Sequence, residues 1–549
     1  MERDVTDEHR RRGDRRRGAI EFAMLVAIFF VAGGAPAPHV NETHYLAKAR
    51  NYWDPSYCPG DLFFDSADAH LTFSWTVGWL TTWMSLPAAA WTGRIAAWLL
   101  LAAAWMRLMR QIAPVPWAAP AAGLVGIVLV DVGDFAGEWV VGGLHGRGGV
   151  EGKNFAYAFV LLGLAAMSAG RWTAPWIYFG LAAAWHALVG AWAVLAGLGT
   201  WLTEPRASRR RAATLLTGLA AGGALALPGL LPSLALDWGA EPQTRRAAAA
   251  IYVYERLPHH LAPNTLPTDE LLRRSVRFAL VVAAMVALAV WLARREDRDD
   301  DCFSPQGVRR VLRFATFAVA GNCLGLAIAM APLERTTAAL ALRYYWFRQA
   351  DIVVPLAVAL GATAWAFDAR RRGWPRPQLM FALALAACGG HLLRIAVDRV
   401  QNLAPPGAAR MANVPAWIDV CTWVRDNAPP GAICLVPRQA QSFKWFAERA
   451  DVVNWKDIPQ DAASVVQWRE RLHDVFPTVD GPEGPQVLAS PERWSAARVR
   501  EIARRYGATL VVVRSEPMLP LRELYSAGID APRGGYAVYE VGGLTDEAP

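Results

Sequence analysis

The sequence predicts a mainly α, polytopic transmembrane helical bundle of about eleven spans with a small C-terminal α/β domain, and three observations predict it. Apolar residues make up 54% of the 549 positions and fall in blocks about 20 residues long, the length that crosses a bilayer. Trp and Tyr gather near the ends of those blocks, as at Trp172, Trp176, Trp201 and Trp291, where an amphipathic ring suits the headgroup layer. Beyond about residue 400 the apolar runs become short and alternate with helical patterns, which reads as a small sheet with covering helices.

Blocks able to span lie near 19–37, 88–109, 115–133, 154–170, 173–187, 188–203, 212–236, 276–294, 311–333, 349–367 and 377–398. Arg15, Arg16 and Arg17 hold the basic N-terminal segment 1–18 in the cytoplasm. Alternation then puts Arg107/Arg110, Arg171, the cluster 206–211, Arg294/Arg295 and Arg370/Arg371/Arg372 on that same side, as the positive-inside rule requires. This agreement splits 173–203 into two short helices near Gly190. It also makes 71–86 an interfacial helix, with Trp75, Trp79 and Trp83 recurring every fourth residue on one face. The expected organisation is a membrane domain over 19–400, with outer loops 38–87, 134–153 and 237–275, and a soluble domain over 410–549 on the outer face of the plasma (inner) membrane.

The net charge of +8 sits in short clusters flanking spans, with no basic stripe interleaved with aromatics, so no nucleic-acid partner is expected. Six cysteines show neither metal-ligand nor disulfide-framework spacing. Ionisable residues are few within the spans, which argues against a proton or ion path. His186 is the exception, and a lone His near a span end reads first as packing.

Polar chemistry is concentrated in the outer loops. The first carries Glu42, His44, Tyr45, Asp65, Asp68 and His70. The second follows Asp131 and holds Asp134, Glu138, His145, Glu151 and Lys153; the third holds Tyr254, Glu255, Arg256, His259 and His260. Three polar loops on one face can build one cavity at the membrane surface, although each charged residue alone is also what any solvated loop contains. His259 and His260 are adjacent, so they cannot share a metal as an i, i+4 pair would, and no HExxH pattern occurs. A divalent cation held through a substrate phosphate stays compatible with the loop acids, with no certain cofactor required.

In the C-terminal segment, strands are expected at 432–437 and 509–514 and helices at 415–427, 460–476 and 492–506. Gly431 and Gly507 stand where helix gives way to strand, as C-cap turns would. No GxGxxG or Walker A pattern occurs. Trp417, Trp423, Trp445, Trp455 and Trp468 are candidates for sugar stacking, with burial in the core as the commoner fate.

The outer loop opening Asn41-Glu42-Thr43-His44-Tyr45, the interfacial helix, the span GRIAAWLLLAAAWMRLMR, the acids Asp131 and Asp134 closing the third span, and the outer C-terminal domain together resemble the C-type (GT-C) glycosyltransferases, within a bacterial branch of that superfamily. The resemblance implies a sugar taken from a polyprenyl-phosphate donor and passed to an acceptor at the outer face. Where the family commonly carries an Asp-Glu pair, this chain has Asn41-Glu42, which leaves one carboxylate. By the same resemblance Glu42 is the expected base, oriented by His44. Arg256, His259, His260, Lys153 and Arg343 are expected to hold the donor phosphate. Arg256 also reads as a salt bridge to Glu255 or Asp269, and Arg343 as an interfacial anchor beside Tyr344, Tyr345 and Trp346. The partners implied are membrane lipid, a polyprenyl-phosphate sugar and an acceptor whose identity is open. The alternative is a non-enzymatic transport or ligand-binding protein; a transporter favours paired halves and mid-membrane acids.

Overall fold

The computed structural model describes residues 2–141, 149–205, 212–295, 302–481, 484–491 and 494–541. The cluster 206–211 and His145 of the sequence reading lie outside them. Every apolar block forms a helix: Glu2–Gly33, Leu86–Ile112, Ala118–Val132, Gly152–Ser168, Ala174–Trp185, Ala187–Leu202, Ala212–Ala235, Thr268–Ala293, Pro305–Met330, Arg348–Arg371 and Pro375–Gln401. Among the described residues, six of these are long and apolar enough to cross a membrane by length and composition. The chain is a multi-pass, helical membrane protein with a small C-terminal sheet.

The two short helices part at His186, four residues before Gly190, because the backbone of His186 turns extended (φ −155°, ψ 102°). The pair then folds back as a hairpin. Gly190 packs on Ala183, and Gly197 packs on Trp176 and Phe179; a Cβ at Gly190 would lie 2.3 Å from the Ala183 nitrogen. Small residues also seat the next helix, since a Cβ on Gly222 would fall 2.1 Å from the Trp176 carbonyl oxygen. Close backbone approach of this kind is how helices associate where lipid provides no hydrophobic drive. Residues 71–86 form two short helical turns, Leu71–Trp75 and Gly78–Thr82, and Trp75, Trp79 and Trp83 stay exposed. An interfacial position accounts for large exposed indoles.

The C-terminal part carries β1 (Ile433–Leu435), β2 (Ala450–Asp451), β3 (Thr478–Gly481), β4 (Gly484–Val487), β5 (Leu510–Arg514), β6 (Arg522–Ala527) and β7 (Tyr536–Glu540). Five of them form one sheet in the order β2-β1-β5-β7-β6, and β3 pairs with β4 apart from it. β1 is parallel to β2 and β5, while β7 is antiparallel to β5 and β6. Helices Val414–Asn427, Ala462–Val475 and Ala496–Tyr506 cover the sheet, and β5 alternates its buried side chains between the two resulting cores. Gly507 caps its helix in the left-handed region at φ 70°. Gly431 does not act as a cap, because the helix before it already ends at Asn427.

A separate apolar cluster joins the loop 38–87 to this sheet domain, placing Tyr57, Phe63 and Phe64 with Trp445 and Ala450. An ion network runs through the same junction. Lys444 Nζ lies 3.0 Å from Asp61 and 2.7 Å from Asp457, with all three side chains buried. Buried charges persist only when paired and hydrogen-bonded. Here the pairing ties the C-terminal sheet domain to the loop that carries Asp61.

Candidate functional site

Glu42 opens the helix Glu42–Trp53 and is fully buried. Arg94, on the span Leu86–Ile112, donates to both of its oxygens at 2.6 Å. The backbone N–H groups of His39 and Val150 donate to them as well, at 2.8 and 3.0 Å. A carboxylate offers about four lone-pair sites, and these four donors fill them. Burial alone would raise its pKa, but Arg94 more than reverses this and holds the group below its usual range. Glu42 therefore fits a structural fork and does not fit the role of base. His44 does not orient it either, since its Nδ1 pairs with Asp457 at 3.0 Å and its ring stacks on Phe63. Burial lowers the His44 pKa to about 4.

Beside this fork lies a small polar cavity of about 90 Å³. All three polar loops reach it, through Tyr45 from the first, Glu138 and Lys153 from the second, and Arg256 and His260 from the third. Two further segments complete the wall. Tyr345 comes from the turn before the span Arg348–Arg371, Arg348 opens that span, and Lys456 and Gln460 come from the C-terminal domain. Arg348 donates to Glu138 at 2.6 Å and to His186. Lys153 pairs with Glu138 on its other side. These two cations offset the burial of Glu138 and keep its pKa below the carboxylate range.

The segment 454–461 of the C-terminal domain acts as a keystone. Arg256 donates from Nε to the Trp455 carbonyl at 2.8 Å, so it is not paired with Glu255 or Asp269; Glu255 pairs with Arg469 instead. Lys456 Nζ donates to Asn41 Oδ1 at 2.6 Å. Burial, with Arg256 close by, lowers the Lys456 pKa to about 7. Gln460 meets His70 at 3.2 Å and helps wall a smaller recess with His44, Tyr45, Lys48, Asp68 and Ser74. Glu151 caps the helix Gly152–Ser168, accepts from Asn41 at 3.1 Å and sits 3.5 Å from Lys153.

Other expected site residues fall elsewhere. Arg343 pairs with Asp237 at 3.0 Å. His259 packs against His260 but does not line the cavity, whereas His260 does and bonds the Ala136 carbonyl. Asp65 is exposed. Asp131 pairs with His391 at 3.1 Å, Asp134 lies beside Gly137, and Tyr254 lies under Arg335; none of the three lines the cavity. Trp417, Trp445 and Trp468 are buried, Trp423 stacks on Tyr525, and Trp455 lies beneath Arg438. No three His, Cys, Asp or Glu side chains among the described residues converge as a metal site.

Sequence reasoning left out Arg348, Tyr345, Tyr252, Lys456 and Gln460. The run RYYWFRQ carried the signal for the first two, with its second Arg facing the cavity rather than its first.

Fold and cavity define a multi-pass membrane protein with a cation-rich recess closed by its own C-terminal sheet domain. Residues 415–475 match the model of a domain of unknown function, DUF6798. No curated protein matches the chain. Thirteen chains of known structure do. One is ArnT from Cupriavidus metallidurans in the apo state, at 13% identity over 95% of this chain and 97% of that chain, with a TM-score of 0.42. At so low a score the likeness carries no functional inference.

Proposed function

We propose that the chain is a membrane glycosyltransferase that moves a sugar from a polyprenyl-phosphate donor to an acceptor at the outer face of the plasma membrane. The observation that carries this reading is the charge of the cavity. Arg256, Arg348, Lys153 and Lys456 line it against only two carboxylates, Glu138 and Glu151. Such an excess of cations at the end of a span bundle suits an anionic group attached to a lipid tail. The side assignment rests on the Arg clusters at the opposite helix ends.

In this reading a lipid phosphate is its own leaving group, so the protein must stabilise the departing phosphate and accept a proton from the acceptor hydroxyl. Arg256 and Arg348 supply planar, permanently charged donors for the phosphate. Lys153, Lys456 and His260 complete the cradle. Glu151 takes the base role expected of Glu42. Its three partners, Asn41, Lys153 and the backbone of its own helix, occupy three of about four lone-pair sites, and the residue lines the cavity.

The test is turnover of polyprenyl-phosphate sugars by the full chain in nanodiscs. Glu151→Gln should bind the donor yet lose transfer by about a hundredfold or more. Donor binding without transfer by the wild type would favour the ligand-binding alternative.

A further inference from the structure

At the opposite ends of the helices, several arginines are already neutralised. Glu204 takes Arg310 and Arg313 at 2.6 and 2.9 Å, and Asp368 takes Arg295 and Arg372, both at 2.9 Å. Arg107 and Arg110 differ. Both are exposed near the end of the span Leu86–Ile112, and neither has an acidic partner among the described residues.

The two line a groove between that span and the first helix, whose floor is Phe22, Ala103 and Met106. Gly18 opens the groove: a Cβ there would lie 2.8 Å from the Arg110 guanidinium. Arg110 thereby reaches over the facing helix, where a second recess adds Arg15 and Arg17. Asp14, paired with Arg17, and Glu21 offset two of the four positive charges of Arg15, Arg17, Arg107 and Arg110. Positive charge is thus left over, directly above an apolar floor at the membrane boundary.

We infer that this groove is a binding site for an anionic phospholipid, with the headgroup phosphate between Arg107 and Arg110 and an acyl chain along Phe22, Ala103 and Met106. A free phosphate would use only the upper half, so the floor commits the site to a lipid. Basic recesses between spans on the cytoplasmic side suit such headgroups. The site is independent of the cavity at the other face.

The experiment is native mass spectrometry of the delipidated full chain after addition of phosphatidylglycerol or phosphatidylcholine. The wild type should retain phosphatidylglycerol in preference. Arg107→Gln with Arg110→Gln should weaken that retention by about tenfold or more, and Gly18→Leu should do the same by filling the groove without changing charge. Arg370→Gln with Arg371→Gln, exposed on the same face, should leave it intact. Thermal melting of each variant establishes that it is folded. Equal retention of the two lipids by the wild type, full retention by the folded Arg107/Arg110 variant, or displacement by glycerol 3-phosphate as effective as by lipid would each overturn the proposal.

Discussion

Glu42 and Arg94 form a buried two-bond fork, 2.6 Å at each contact, that locks the helix Glu42–Trp53 to the span helix Leu86–Ile112. Breaking a buried pair leaves an uncompensated charge and typically costs about 3–5 kcal/mol. Glu42→Gln should therefore lower unfolding stability by a few kcal/mol, measured by thermal or denaturant unfolding in micelles. Glu151→Gln should change stability far less while removing transfer.

Lys456 should make donor binding depend on pH. Its pKa is lowered to about 7 by burial and by Arg256, so it is mostly neutral above that value and charged below it. Affinity for a phosphodiester probe, whose own charge is constant there, should rise as pH falls through about 7. The gain should be no more than about tenfold for one added charge. Titration calorimetry with Lys456→Met should give a flat profile over the same range.

Acid should loosen the junction through His44. The folded group titrates at about 4 against 6.5 for an ordinary His, so the unfolded chain binds the proton first. Stability from this group is complete above pH 6.5 and is lost as pH falls from 6.5 toward 4, by up to roughly 3 kcal/mol. Asp457, whose pKa is also held below its ordinary value, adds a loss in the same direction. Unfolding measured across that window should be flatter in His44→Asn.

Lys444→Met would leave Asp61, Asp451 and Asp457 buried together without their shared cation. Docking of the soluble domain should weaken by several kcal/mol. Limited proteolysis of the connecting residues 402–413 should then accelerate, while the span helices keep their helical signal by circular dichroism.

The spans were legible because length and apolarity alone specify them, and the Arg clusters resolved the ambiguous region 173–203. The break itself fell at His186 rather than Gly190, since Gly190 is needed for the close packing of the hairpin on Ala183. Half of the cavity was legible too, because Tyr45, Glu138, Lys153, Arg256 and His260 are polar residues in loops on one face. What the sequence hid is pairing across distance. Lys456 meets Asn41 across 415 positions, and Glu42 meets Arg94, which sits inside an apolar helix. No local pattern announces either contact. Of the sheet, β1 and β5 were expected as continuous apolar runs; β6 and β7 escaped because their polar and aromatic residues give no such run.

The central claim is that the cavity is built for a lipid-borne phosphate, and Arg256 tests it most directly because its guanidinium lines the space while its Nε holds the Trp455 carbonyl. The measurement is equilibrium binding of polyprenyl phosphate to the full chain in nanodiscs, wild type against Arg256→Gln and Arg348→Gln. Each variant should bind at least about tenfold more weakly, with a shallower salt dependence. Wild-type binding no tighter than that of the uncharged polyprenol, or unchanged by either substitution, would contradict the account.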